Sequence, residues 1–197
     1  MKVAPGQKLI EKILDFEWEM FRQTRSLAPA PCQQAPQRFR QIRGAIFELW
    51  TEEMLGSYLT DLEEARAASR NLLSKKYARM DDRIPRTNFH PLIEKIVAIE
   101  ANWQTEIESK YPQVFLRMCR GTAPGDDGSN FSVYLRCELE TYGAKTIELY
   151  YQQVREAVTN GRNLSMDMLR ILVLKGGFQS LDHAEKHLRE HFMILGS

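Results

Sequence analysis

Leu9-Ile10-Glu11-Lys12-Ile13-Leu14-Asp15-Phe16-Glu17 returns 83 positions later as Leu92-Ile93-Glu94-Lys95-Ile96-Val97-Ala98-Ile99-Glu100, with six of nine residues identical. In both stretches the apolar residues recur every three or four positions, the signature of a helix with one buried face. Further on, Phe39 to Leu72 maps onto Phe131 to Leu164 at an offset of 92, with Glu48/Glu140, Tyr58/Tyr150, Ala65/Ala157 and Arg70-Asn71-Leu72/Arg162-Asn163-Leu164 coinciding. The chain is therefore read as a duplicated helical unit, and strand alternation is absent from it.

At 197 residues with 43% hydrophobic content, the chain has enough apolar material for one ordinary core. The reading is an all-α, single-domain helical bundle (1–197) of about eight helices, built from two tandem pseudo-equivalent halves. The internal repeat spans 7–80 and 90–175, and a C-terminal helix spans 180–193. Helices are expected over 7–22, 37–67 with a bend at Gly56, 72–80, 92–110, 131–158, 165–175 and 181–192. A Pro-rich connector at 27–36 follows the first helix, and the Gly- and Asp-rich stretch 121–129 holds most of the second copy's extra length.

The 27 basic and 26 acidic residues nearly cancel, which argues against a nucleic-acid partner, since such binders carry a basic stripe. The cluster Lys75-Lys76-Tyr77-Ala78-Arg79 is too short to be one and reads as a solvated helix face. No apolar run has the length of a membrane span, and the N-terminus lacks an apolar signal core, so a cytoplasmic location is expected. Cys32, Cys119 and Cys137 have no metal-type spacing and fit free thiols in a reducing compartment. The nucleotide-binding glycine loops, the nucleophile elbow and the HExxH zinc motif are all missing.

The chemical signal lies in carboxylates on apolar stripes. Glu17 continues the stripe Ile10, Ile13, Leu14, and Glu100 continues Ile93, Ile96, Val97. A third acid, Glu138, shares a stripe with Leu135, Leu139 and Tyr142, while its counterpart in the first copy is Ile46. An inward glutamate is costly unless paired or coordinated, and Arg43, Arg120, Arg136, Arg70 and Arg162 are the available partners. These acids fit either a buried ion-pair network or a site. Glu17, Glu100 and Glu138 are the weak candidates for a metal. A di-iron bundle would need Glu-x-x-His on two helices, and Glu48, Glu138 and Glu140 are followed three positions on by Thr51, Thr141 and Gly143. Asn71 and Asn163 are placed to cap the helices that follow them, and Arg70 and Arg162 to clamp an anion. His183, His187 and His191 recur every four residues but flank the stripe of their helix, and read as surface.

The residues also resemble a known family, the bacterial domain of unknown function 4125. The resemblance is carried by Trp18-Glu19-Met20-Phe21, Cys32-Gln33, Trp50 with Tyr58 and Asp61, and Ala65 through Arg70-Asn71-Leu72 to Lys76-Tyr77-Ala78-Arg79-Met80. Tyr111-Pro112, Tyr134-Leu135-Arg136-Cys137-Glu138-Leu139 with Thr141-Tyr142, Asn163-Leu164 and Gly177-Phe178-Gln179-Ser180-Leu181 complete it. Members of such a family occur beside nucleotidyltransferase-like domains, so the resemblance implies a partner of that kind or from a shared pathway, and small-metabolite chemistry. The functional expectation is a small polar metabolite held in a carboxylate- and arginine-lined pocket between the repeats. Glu138 is the expected general acid or base, with its pKa raised by burial. Glu17, Glu19, Glu100, Arg70, Asn71, Arg162 and Tyr142 are the expected binding residues, and no cofactor is assigned. The alternatives are a non-enzymatic interaction module with structural ion pairs, and a metal-dependent bundle enzyme ligated by carboxylates.

Overall fold

In the computed structural model, ten helices carry the described residues, which are 5–24, 35–123, 125 and 130–193. They are α1 (Pro5–Arg22), α2 (Pro36–Phe47), α3 (Glu52–Ala67), α4 (Leu72–Met80), α5 (Leu92–Lys110), α6 (Pro112–Met118), α7 (Phe131–Leu139), α8 (Ala144–Thr159), α9 (Leu164–Lys175) and α10 (Leu181–Met193). No strand occurs among the described residues. Most of the Pro-rich connector, Cys32, most of the 124–129 stretch and the Phe192 side chain lie outside them.

The two long helices expected over 37–67 and 131–158 are each divided. The chain leaves α2 through i→i+3 bonds, with Leu49 N donating to Ile46 O at 3.1 Å and Trp50 N to Phe47 O at 3.1 Å. It leaves α7 in the same way, with Thr141 N to Glu138 O at 2.9 Å and Tyr142 N to Leu139 O at 3.1 Å. The turns bring Trp50 and Tyr142 inward, and burial of these two rings offsets the lost helical continuity. Apolar spacing continues across both breaks, which is why the pattern reads as one helix. Gly56, the expected bend, lies inside α3.

Each restart has its own cap. Thr51 Oγ1 accepts from Met54 N at 3.2 Å to open α3. At the equivalent position Gly143 has no side chain, and Asp61 reaches over from α3 to accept from Gly143 N at 2.9 Å and Thr146 Oγ1 at 2.7 Å. The asparagine caps stand as the spacing suggested. Asn71 Oδ1 accepts from Ser74 N at 2.8 Å and Asn163 Oδ1 from Met166 N at 2.9 Å. Their amides donate to Met20 O at 2.8 Å and Trp103 O at 3.2 Å, positions that are themselves 83 residues apart. The preceding chain reversals match as well, with Ser69 at φ 53° and Gly161 at φ 62°.

α1 packs on α3 and α5 on α8, while α3 and α8 pack on each other. α4 packs on α7 and α2 on α9, so the first stretch and the second each lend a helix to the other. The larger core gathers Ile13, Leu14, Phe47, Met54, Tyr58, Leu62, Ile93, Ile96, Leu139 and Ile147. A second cluster joins Ala45 and Ile107 to α6, α9 and α10. The N-terminus of α6 is closed by buried Glu185 of α10, which accepts from Gln113 N at 2.9 Å and Val114 N at 3.0 Å. Among the described residues no helix is long and apolar enough to cross a membrane.

Candidate functional site

Glu17 of α1 is 1% exposed, and its carboxylate is gripped from α2 by Arg43, with Nε at 2.8 Å and Nη2 at 2.5 Å. Tyr58 of α3 donates a third bond at 2.7 Å. The remaining arginine nitrogen, Nη1, lies 2.7 Å from Oε1 of Glu138 on α7. Glu138, 7% exposed, also receives Lys76 Nζ of α4 at 2.6 Å and Tyr142 Oη at 2.8 Å. Lys76 Nζ stands 3.4 Å from the centre of the Tyr134 ring, where the ring's negative face adds to the attraction. The result is a line of alternating charge, Glu17–Arg43–Glu138–Lys76, in which two carboxylates and two cations balance.

That balance reverses the expected titration of Glu138. Burial alone would push its pKa up, but Arg43 and then Lys76 outweigh burial and hold it well below the usual carboxylate range. Tyr58, Tyr142 and Tyr150 are pushed above the ordinary phenol value, mainly by burial, and act as neutral donors. Glu138 is thus held in its anionic form by its two cations.

Glu100 of α5 is the carboxyl that titrates near neutrality. It is 8% exposed and accepts a bond from Tyr150 Oη at 2.5 Å, and among the described residues no cation pairs with it. Burial, reinforced by the nearby Glu138 charge and only partly opposed by the Tyr150 bond, raises its pKa from 4.5 to about 7. The same kind of tyrosine bond is made twice, Tyr58 to Glu17 and Tyr150 to Glu100. The cation is not, because the position equivalent to Arg43 is Leu135.

Two cavities flank the line of charge. One, of about 110 Å³, is walled by Arg43, Trp50, Glu100, Gln104, Tyr134, Leu135, Glu138, Tyr142, Tyr150 and Ser165 among others. A smaller one of about 70 Å³ adjoins Glu17, Arg43, Tyr58, Lys76, Tyr134 and Glu138. Arg43, Tyr134 and Glu138 belong to both walls and form the partition. In the larger cavity Gln104 is 3% exposed and its Oε1 has no hydrogen-bond partner, a deficit of about 1–3 kcal/mol if nothing fills it.

The structure thus brings Glu17, Glu138 and Tyr142 together and sets Glu100 across the larger cavity. The remaining candidates sit elsewhere. Glu19, Arg70 and Asn71 line a separate cleft with Phe16, Gln23 and Arg66. Arg162 is exposed and bound to Asp167 at 2.8 Å, so its clamp is already occupied from within the chain. Asn71 and Asn163 are spent on helix caps. Glu17 and Glu138 have their oxygens on Arg43, Lys76 and tyrosines, and no group of three His, Cys, Asp or Glu side chains among the described residues is placed to hold a metal ion.

Lys76 and Arg79 do not lie on a solvated face as expected. Lys76 is buried against Glu138, and Arg79 reaches buried Glu140 at 2.9 Å. Arg86 Nε is 3.3 Å from the other Glu140 oxygen but directs its hydrogen to Asn88 O. Gln104 was also missed, though it lies one turn beyond Glu100 on the same stripe, as was Tyr150, whose pairing with Tyr58 in the repeat was the available sign.

No curated protein and no solved structure shows significant similarity to the chain. The model of one family, described as a protein of unknown function (DUF4125), matches residues 7–186. With that match spanning nearly all the elements that build the cavities, the chain belongs to the DUF4125 family.

Proposed function

We propose that this protein binds a small polar metabolite in the larger cavity, with Glu100 as the group that gives or takes a proton. The observation that carries the reading is Glu100 itself: a buried carboxyl beside open volume, with no cation paired to it among the described residues, poised to change charge near neutral pH. Glu17, its counterpart 83 positions earlier, is instead paired by Arg43. Glu138 and Arg43 form a fixed polar wall on one side, while Trp50, Tyr134 and Tyr142 supply flat apolar surface. A general acid or base works best with a pKa near the operating pH, which favours Glu100 over Glu138, whose pKa is lowered. Glu138 is an electrostatic anchor and Tyr142 its orienting donor.

The test is a thermal-shift and ligand-detected NMR panel of small polar metabolites on the full chain, repeated with Gln104→Met. Saturable stabilisation that Gln104→Met weakens tenfold or more, with the fold retained, supports the reading. No saturable ligand in wild type, together with a co-purifying protein, favours an interaction module instead.

A further inference from the structure

Comparing the two halves position by position narrows the ligand class, an inference that rests on the cavity reading above. Glu17 and Glu100 are equivalent, and so are the tyrosines that bind them, at 2.7 and 2.5 Å. In the first half the glutamate's remaining valence goes to the guanidinium of Arg43. In the second half Leu135 stands in that place, its side chain in the wall of the larger cavity. The buried charges around the cavities balance without Glu100: Glu17 and Glu138 against Arg43 and Lys76. An ionised Glu100 is one negative charge in surplus. Gln104 Oε1, one turn further along α5, is an acceptor in need of a donor. Trp50, Tyr142 and Tyr150 line the same space, as does Tyr134, whose ring already carries Lys76 and Arg120.

We propose that the larger cavity binds a small organic cation, a guanidinium, amidinium or primary ammonium on a short uncharged stem, whose head takes against Glu100 the place that Arg43 takes against Glu17. The head donates to Glu100 and to Gln104 Oε1, and the aromatic walls stabilise its charge. The volume of about 110 Å³ is less than the roughly 150 Å³ apolar cavity that accommodates benzene, so head and stem together amount to a handful of heavy atoms. Among the described residues, the charged and titratable groups lining that space are Glu100 on α5, Arg43 on α2, Glu138 and Tyr134 on α7, Tyr142 in the turn after it, and Tyr150 on α8, with the Arg120 guanidinium 4.6 Å from the centre of the Tyr134 ring. Arg43 does not repel the ligand as a lone charge would, because Glu17 and Glu138 both neutralise it. Glu100 must be ionised in the complex, so binding below about pH 7 expels its proton. Affinity then falls about tenfold between pH 8 and pH 6.

Methylguanidinium, its neutral isostere methylurea and acetate are the probes, titrated separately into the isotope-labelled full chain while the Trp50 indole N–H signal is followed. The expected result is a saturable shift with methylguanidinium, at least tenfold weaker with methylurea and absent with acetate. Glu100→Gln, which keeps an acceptor for Tyr150, removes the preference for the cation. Leu135→Arg supplies the cation from within the chain and blocks the probe. If Leu135→Arg does not fold, Glu100→Gln and the pH series carry the test. Equal binding of methylguanidinium and methylurea, a preference for acetate, or cation binding unchanged by Glu100→Gln overturns the cation assignment and leaves the cavity as a metabolite site. Saturation by none of the probes in wild type overturns the cation assignment, and the metabolite panel decides the cavity reading separately.

Discussion

Replacing Glu100 by Gln should make the protein more stable at pH 8 and leave it nearly unchanged at pH 4. The carboxyl ionises near 4.5 in an ordinary setting and near 7 in the fold. Its folded-state pKa is raised, so the unfolded chain holds fewer of its protons between those values. Stability is therefore full below about pH 4.5, declines as pH rises through the window, and reaches its floor above about 7. The gap corresponds to about 3 kcal/mol at pH 8. Gln fills the same volume, accepts from Tyr150 and carries no charge, so it lacks the penalty. Urea unfolding at pH 4, 6 and 8 measures this, and subtracting the two proteins cancels the titration of every other carboxyl. The expected difference is near zero at pH 4, about 1.5–2 kcal/mol at pH 6 and about 3 kcal/mol at pH 8, in favour of Gln. A variant that tracks wild type across the range, or is the less stable of the two at pH 8, refutes a cation-free buried Glu100.

Arg43→Met strands Glu17 and Glu138 together without their shared cation and should cost about 3–5 kcal/mol by urea unfolding; adding Glu17→Gln should recover part of it, and a loss below about 1 kcal/mol would contradict the network. Gly143→Ala places a Cβ 2.4 Å from Asp61 Oδ1, so it and Asp61→Ala should each destabilise by about 1–3 kcal/mol, with the double variant clearly less than additive. Additive losses would mean that Asp61 does not cap α8. Ser69 has a left-handed backbone at φ 53°, so Ser69→Gly should raise stability by about 0.5–1 kcal/mol, while Gly161→Ala at φ 62° should lower it by a similar amount. Equal and negligible melting-temperature changes would show that neither reversal is strained.

Helix faces were legible in the chain because period and burial are local properties. The stripes ending at Glu17 and Glu100 point inward, and Asn71 and Asn163 cap as their position before a helix suggests. The interruptions at 48–51 and 140–143 were not legible, because apolar spacing runs through them and the cap for α8 comes from Asp61, 82 residues away. Lys76 illustrates the limit most sharply. In a run of polar residues it looks solvated, yet its ammonium lies over the Tyr134 ring and meets Glu138, 62 residues distant. The sign of the Glu138 shift failed for the same reason: burial is visible in a stripe, whereas the partners that outweigh it arrive from α2 and α4. Glu100 was read as inward-facing, and what distinguishes it, the Arg43-to-Leu135 exchange, acquires meaning only once Arg43 is seen on Glu17.

The most direct measurement is the titration of the Glu100 side-chain carboxyl by carbon-13 NMR, in the free protein and with methylguanidinium added. A buried, cation-free carboxyl beside a cation site predicts a midpoint at about 7 in the free chain, falling as the probe saturates. A midpoint at the ordinary carboxylate value, unmoved by the probe, would contradict it.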